Sequence, residues 1–258
     1  MPTPPWKRYA VAVSLFAPFP LGCHGPALPT VDGHAVATID AGSAAATARA
    51  KGFQAMSRAC TDPKAAAEAV LLFQEALRDA PQDLDAVFGL GWALQQKGDA
   101  LKAEVEYRRV MLLSLEQRST SESVYFAHYN LGILCRDQQR FEAAVAEFHD
   151  AAQLRPTAWA AWYNLGSVLS ILEAYGPATR ALASAVKLVP QDGRVRYELG
   201  LAQWKSGQRE AADATLQEAV RLTPDLAGAY ARIVEASKPP AAAAPKRVPP
   251  VKKVRRAK

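Results

Sequence analysis

The sequence predicts an all-α solenoid of stacked antiparallel helical hairpins, and three observations lead there. First, the chain repeats itself at an offset of 34 residues: Leu131-Gly132, Leu165-Gly166 and Leu199-Gly200 recur at that interval, as do Ala144, Ala178 and Ala212, then Ala151, Ala185 and Ala219. A fixed period of this length marks a stack of supersecondary units. Second, each unit closes on a proline, Pro156, Pro190 or Pro224. Proline lacks an N–H, clashes with the preceding turn and so ends a helix. Third, 50% of the residues are hydrophobic and 22% charged, which is globular composition. The three cysteines are too few for a disulfide scaffold, and no Cys/His cluster has zinc spacing.

Taken in order, the chain opens with Lys7 and Arg8 followed by an uncharged, apolar stretch from Tyr9 to Gly22. That stretch suits the hydrophobic region of an export signal and is shorter than the roughly 20 residues that span a bilayer, so residues 1–22 read as a signal peptide. The junction Leu21-Gly22-Cys23 resembles the lipobox of bacterial lipoproteins. The resemblance implies cleavage before Cys23, diacylation of its thiol and a lipid anchor. Pro20 and Leu21 depart from the family's preferred Leu and small residue at those positions, while Gly22 fits. A secretory signal that happens to contain Cys23 and an uncleaved anchor are the other readings. Residues 23–43, rich in Gly, Pro and small residues, form a flexible tether with a random-coil reach on the order of 25 Å. His24 and His34 lie in it without partner spacing and read as solvated.

The solenoid is expected over residues 44–237. Its units run at about 50–83, 84–117, 125–158, 159–192 and 193–226, with a capping helix at 227–237. The first unit carries Phe53, Ala69, Phe73, Ala76 and Pro81, with Met56-Ser57 in the Leu-Gly position; the second carries Leu90-Gly91, Ala103, Tyr107 and Val110, with Leu115 where proline is expected. Seven residues, Arg118 to Val124, break the period and predict a longer turn or an extended second helix. Small residues in the Gly and Ala columns allow close helix approach, and the larger Phe148, Leu182 and Leu216 fill the grooves between helices. Turns fall at Gln96-Lys97-Gly98-Asp99 and Ser206-Gly207-Gln208, where Gly suits a helix C-terminus. No single hairpin buries its apolar face, so the units stack into one continuous core.

These columns, most plainly Trp162-Tyr163-Asn164-Leu165-Gly166 followed by Ala178, Leu182, Ala185 and Pro190, resemble the tetratricopeptide repeat family over about 70% of the chain. The resemblance implies a right-handed superhelical solenoid whose first helices line a concave, peptide-binding groove. Mapped onto this sequence, the groove positions give Phe88, Trp92, Phe126, Tyr129, Asn130, Tyr163, Asn164, Tyr197 and Trp204, with Gln54 and Ile133 beside them. Aromatics supply contact area at low entropic cost, and the two amides suit a peptide backbone. The same residue types also serve as repeat consensus and pack between units, so each position has two readings. Some members clamp a chaperone's C-terminal carboxylate with Lys and Asn; here Arg58 and Gly89 occupy the Asn positions, which disfavours that ligand.

Cys60 and Cys135 share an inward column two units apart, beyond disulfide reach, and are expected to be free and buried. His128 and His149 have no nucleophile or carboxylate at motif spacing, and the chain has no HExxH, phosphate-cradling loop or serine elbow. No catalytic residue, metal ligand or cofactor is expected, and the function class is binding.

The formal net charge of +6 is unevenly placed. The last twenty-one residues, from Lys238, carry eight Lys and Arg and no acid, whereas His24 to Ser237 hold 21 basic against 25 acidic residues. The Pro/Ala/Lys/Arg tail, 238–258, has no core-forming pattern and reads as disordered, a candidate contact for anionic lipid or cell-wall polymer. The expectation is a non-enzymatic protein-interaction scaffold on the periplasmic side of a bacterial membrane, the outer membrane favoured, with protein partners and no nucleic acid. A narrower version is an assembly factor for an outer-membrane complex, by analogy with pilotin lipoproteins built from these repeats. The alternative is a soluble intracellular adaptor whose basic tail binds nucleic acid or another polyanion.

Overall fold

The computed structural model describes residues 43–59 and 62–237. The signal peptide, Cys23, the rest of the tether, Cys60 and the basic tail lie outside the described residues. Among the described residues eleven α-helices follow one another: α1 (Ala44–Arg58), α2 (Pro63–Asp79), α3 (Leu84–Gln96), α4 (Ala100–Gln117), α5 (Glu122–Asp137), α6 (Phe141–Leu154), α7 (Trp159–Ile171), α8 (Tyr175–Leu188), α9 (Gly193–Lys205), α10 (Arg209–Leu222) and, after a 3₁₀ turn at Pro224–Leu226, α11 (Ala227–Ser237). They pair as the hairpins α1/α2, α3/α4, α5/α6, α7/α8 and α9/α10, each packed on the next, with α11 closing the stack.

The hairpins are held at close range by the glycine column. A Cβ at Gly132 would stand 2.8 Å from the Phe148 ring, one at Gly166 2.5 Å from Leu182 Cγ, and one at Gly200 2.6 Å from Leu216 Cγ. The large residue of each second helix therefore occupies the space a side chain would need. Four helices start on an aspartate that accepts backbone N–H groups left over at a helix N-terminus: Asp62, Asp83, Asp99 and Asp192. Within the hairpins the turn is one recurring device. Gly98, Gln139, Glu173 and Gly207 all have positive φ. The next residue's N–H bonds back five positions, as in Asp99 to Leu94 at 2.9 Å and Arg140 to Cys135 at 2.8 Å, the Schellman closure. Two of these four turns are made without glycine and are invisible to a search for turn residues.

One expectation needs correction. The first hairpin is out of the expected register: Gly52, not Ser57, faces the ring of Phe73, where a Cβ would approach within 2.8 Å. Helix α1 ends at Arg58 and α2 already begins at Pro63, ahead of the position 34 residues before the Ala100 start of α4, so the residue opposite Phe73 falls earlier in α1. Of the two readings of the break at Arg118–Val124, the extended second helix is the one found. Helix α4 has 18 residues where α6, α8 and α10 have 14, and α5 has 16 where α3, α7 and α9 have 13. With Leu115 in place of the proline, α4 runs on to Gln117 and turns Leu101, Val105, Leu112 and Leu115 outward, each 62–77% exposed.

Polar links tie unit to unit. Arg49 donates to Asp83 at 2.7 Å and lies 3.6 Å from Asp85, which accepts from Ser123. Glu104 receives Arg140 at 2.7 Å and Arg108 at 2.9 Å. Burial works to raise the Glu104 pKa, yet the hydrogen bonds from Arg140 and Arg108 hold it below the ordinary range. Cys135 is free and buried, and burial pushes its thiol pKa up.

Candidate functional site: the face of the first helices

Helices α3, α5, α7 and α9 lie side by side along one face of the stack. The nine residues expected to line a groove divide there into two sets. Phe88 and Phe126 are 2% exposed and Tyr197 is 4%. Phe88 stacks on Phe126 with ring centroids 5.8 Å apart, and on Tyr107 at 6.0 Å. These three are packing between units, not presented surface. Trp92, Tyr129, Tyr163 and Trp204 are half-buried, one on each consecutive first helix. Trp92 leans on Phe88, Tyr129 lies edge-on to Phe148, and Trp204 carries the Arg209 guanidinium 3.6 Å above its ring.

The two asparagines are buried and joined to neighbouring units. Asn130 donates to the Tyr107 hydroxyl at 3.2 Å, and that hydroxyl donates to Gln95 Oε1 at 2.6 Å. Asn164 donates to the Tyr129 hydroxyl at 3.2 Å and to the Ala160 carbonyl at 2.8 Å, and accepts from Arg136 at 2.8 Å. Asn164 is thus engaged at both ends of its amide, and its expected role toward a peptide backbone is corrected to one of joining units. Burial raises the pKa of Tyr129 and of Tyr163; for Tyr163 the next cause is the nearby Glu198 carboxylate. Glu198, in the same column as the asparagines, has its pKa pushed up by burial to about 7.

The structure brings Gln95, Arg136 and Glu198 to this face, none of them singled out from sequence, and the hydroxyl of Tyr107, expected only as a repeat column, joins them from α4. Their signal was available: Glu198 follows Asn130 and Asn164 at the 34-residue interval, and Arg136 falls one turn beyond Leu131-Gly132. Among the described residues no group of three or more His, Cys, Asp or Glu could hold a metal ion, and no helix is long and apolar enough to cross a membrane.

Sequence models of the tetratricopeptide repeat match residues 66–112 and 129–176 in one case and 193–226 in another, together half of the chain. The chain belongs to the tetratricopeptide repeat family. Among curated relatives of this tetratricopeptide repeat protein, superkiller protein 3 of Schizosaccharomyces pombe is 27% identical over 146 residues, 57% of this chain and 10% of that protein. BBSome complex member BBS4 of Bos taurus is 27% identical over 142 residues, 55% of this chain and 26% of that protein. The match thus spans a tenth to about a quarter of the curated relatives. Among solved structures, MamA 41-end from Desulfovibrio magneticus RS-1 is 20% identical with a TM-score of 0.59, covering 71% of this chain and 97% of that one. YrrB, described as a TPR protein with an unusual peptide-binding site, is 17% identical with a TM-score of 0.60, covering 73% and 92%. At these identities the likeness is one of fold.

Proposed function

We propose that the protein is a non-enzymatic scaffold that captures peptide or helical segments of partner proteins on the face of α3, α5, α7 and α9. It works at the periplasmic side of a bacterial membrane, the outer membrane favoured, anchored by lipid on Cys23. The observation that carries the binding reading is the row of half-buried aromatic rings, Trp92, Tyr129, Tyr163 and Trp204, on four consecutive first helices. Rigid, half-buried aromatics give binding energy at small cost in ordering. YrrB, a protein of the same fold, is described as having a peptide-binding site. The narrower role is assembly of an outer-membrane complex.

The anchor is carried by the sequence Leu21-Gly22-Cys23 after an uncharged apolar stretch. Lipid with two or more chains holds a domain at a bilayer far more firmly than one chain does. The basic tail then faces anionic lipid or cell-wall polymer, with an attraction that salt screens. Crosslinking in native membranes tests the scaffold: a Trp92→Ala/Tyr163→Ala chain is expected to lose the crosslinked partner bands while a Leu112→Lys chain keeps them. Retention of the same bands by the groove variant would sink the reading. Fractionation tests the anchor separately. Wild type is expected in the membrane fraction with radiolabelled acyl chain and Cys23→Ser is expected to be released; cytosolic wild type would favour the intracellular adaptor instead.

A further inference from the structure

The sixth position of each first helix, counted from the start of the consensus unit, forms a column at 34-residue spacing: Asn130, Asn164, Glu198. At the first two of these junctions the column residue is closed inside the protein. Asn130 reaches the Tyr107 hydroxyl, which is also held by Gln95 of α3. Asn164 reaches the Tyr129 hydroxyl of α5, and Arg136 of α5 places its guanidinium on the Asn164 oxygen at 2.8 Å. The third junction has the same frame with different contents. Tyr163 stands where Tyr129 stood, Glu198 where Asn164 stood, and Ser170 where Arg136 stood. The Ser170 hydroxyl is turned back to its own helix and donates to the Gly166 carbonyl at 2.9 Å. Neither the Glu198 carboxyl nor the Tyr163 hydroxyl has a hydrogen bond among the described residues; of the charges around Tyr163, Glu198 and Asp192 raise its pKa and Arg136 and Arg194 lower it.

We propose that Glu198, with Tyr163 beside it, is the cation subsite of the groove, taking a lysine or arginine side chain of an extended peptide in the place that Arg136 occupies over Asn164. This rests on the reading of the first-helix face as the binding surface. A guanidinium offers forked donors that match a carboxylate, and a phenol ring beside it adds a cation–π contact. A half-buried carboxyl without an ion pair among the described residues is unfavourable in the empty groove, and burial raises its pKa. The ligand's cation would relieve that. The occupant is a basic segment of a partner protein; this chain's own eight Lys and Arg after Ser237 are the competing source that the experiment separates.

The experiment uses the full chain with the eight tail Lys and Arg changed to Gln, and as probe a fluorescein-labelled peptide of residues 238–258. Fluorescence anisotropy is expected to show the peptide bound, with Glu198→Gln weakening it about tenfold and Glu198→Lys abolishing it. A probe with its cations replaced by Gln is expected to bind the wild-type site and both variants alike. Thermal melts of the two variants check that they are folded. Equal binding of the basic probe to the wild-type site and to Glu198→Gln overturns the subsite, and so does absence of binding to either. If in the first of these cases Trp92→Ala still weakens the probe, the groove reading stands and only the subsite falls. Where Glu198 dependence holds, weaker binding by the chain with its native tail assigns the cation to that tail, and equal binding assigns it to another protein.

Discussion

Gln139 and Glu173 hold the left-handed backbone that glycine holds at Gly98 and Gly207. A Cβ in that region carries a penalty of about 1 kcal/mol, and both residues sit in turns whose closing hydrogen bonds leave no other conformation. Replacing either by glycine is therefore expected to stabilise the chain by roughly 0.5–1 kcal/mol, reduced by the extra freedom glycine has when unfolded. Denaturant midpoints measure this, and a lower midpoint for both variants would contradict it. Asn164 is the opposite case. Asn164→Ala removes the partner of the Tyr129 hydroxyl and one of the two partners of Arg136, which keeps Asp137, a loss of about 1–3 kcal/mol, to be read from the same midpoints. Glu198 adds a pH dependence. Its folded pKa, about 7, stands above the ordinary 4.5, so the folded chain keeps a proton that the unfolded chain has released. That stability is complete below pH 4.5 and is lost as pH rises through 7. Part of the residue reaches solvent, so the loss stays near 1–2 kcal/mol. Melting temperature between about pH 5 and 8 should fall more for wild type than for Glu198→Gln; parallel curves would refute the assignment.

At the scale of the element, the hairpin is a glycine facing a large residue. Gly166→Ala drives a methyl against Leu182, with the Ala178 carbonyl of the same helix 3.1 Å away. Leu182 is fully buried and has little room to withdraw, so a loss of about 1–3 kcal/mol is expected. The outward leucines of α4 carry no such constraint, and Leu112→Lys should leave the melting temperature nearly unchanged. This contrast explains what could be read from sequence. The Gly, Ala and Pro columns were readable because close approach admits few residue types, which keeps them periodic. Turns at Gln139 and Glu173 were not, since a strained residue leaves no compositional mark. The first hairpin slipped by five residues because Met56-Ser57 sits at the right interval, whereas Gly52 meets Phe73 across an α2 that starts early in the repeat. In the groove, periodicity found the column positions but not their depth. Phe88 and Tyr163 share one position, yet Phe88 is covered by Phe126 and Tyr107, and Tyr163 is half-open.

At the scale of the whole molecule, a solenoid's stability is a sum of unit and junction contributions, and the junctions here are unequal. One buried cluster runs from α1 through Ala181 of α8, while the apolar residues of α8–α9 and of α9–α11 form two smaller ones. The hydrogen-bonded links through Asn130 and Asn164 lie within the larger cluster, and the open pair of Tyr163 and Glu198 lies where the smaller ones begin. The last hairpin and α11 are therefore expected to open as a unit before the rest, by the local unfolding that contiguous segments of a protein undergo. Native-state hydrogen exchange should find the amides of α9–α11 less protected than those of α3–α7. Restoring the column's own residue sharpens the test. Glu198→Asn removes a desolvated carboxyl and supplies a donor to the Tyr163 hydroxyl, as Asn164 does for Tyr129, and is expected to stabilise the chain by about 1 kcal/mol. That gain should appear as slower exchange in α9 and α10 with little change in α3 to α5. Uniform slowing along the whole chain would mean that the stack opens as one body and that the third junction is no weaker than its neighbours.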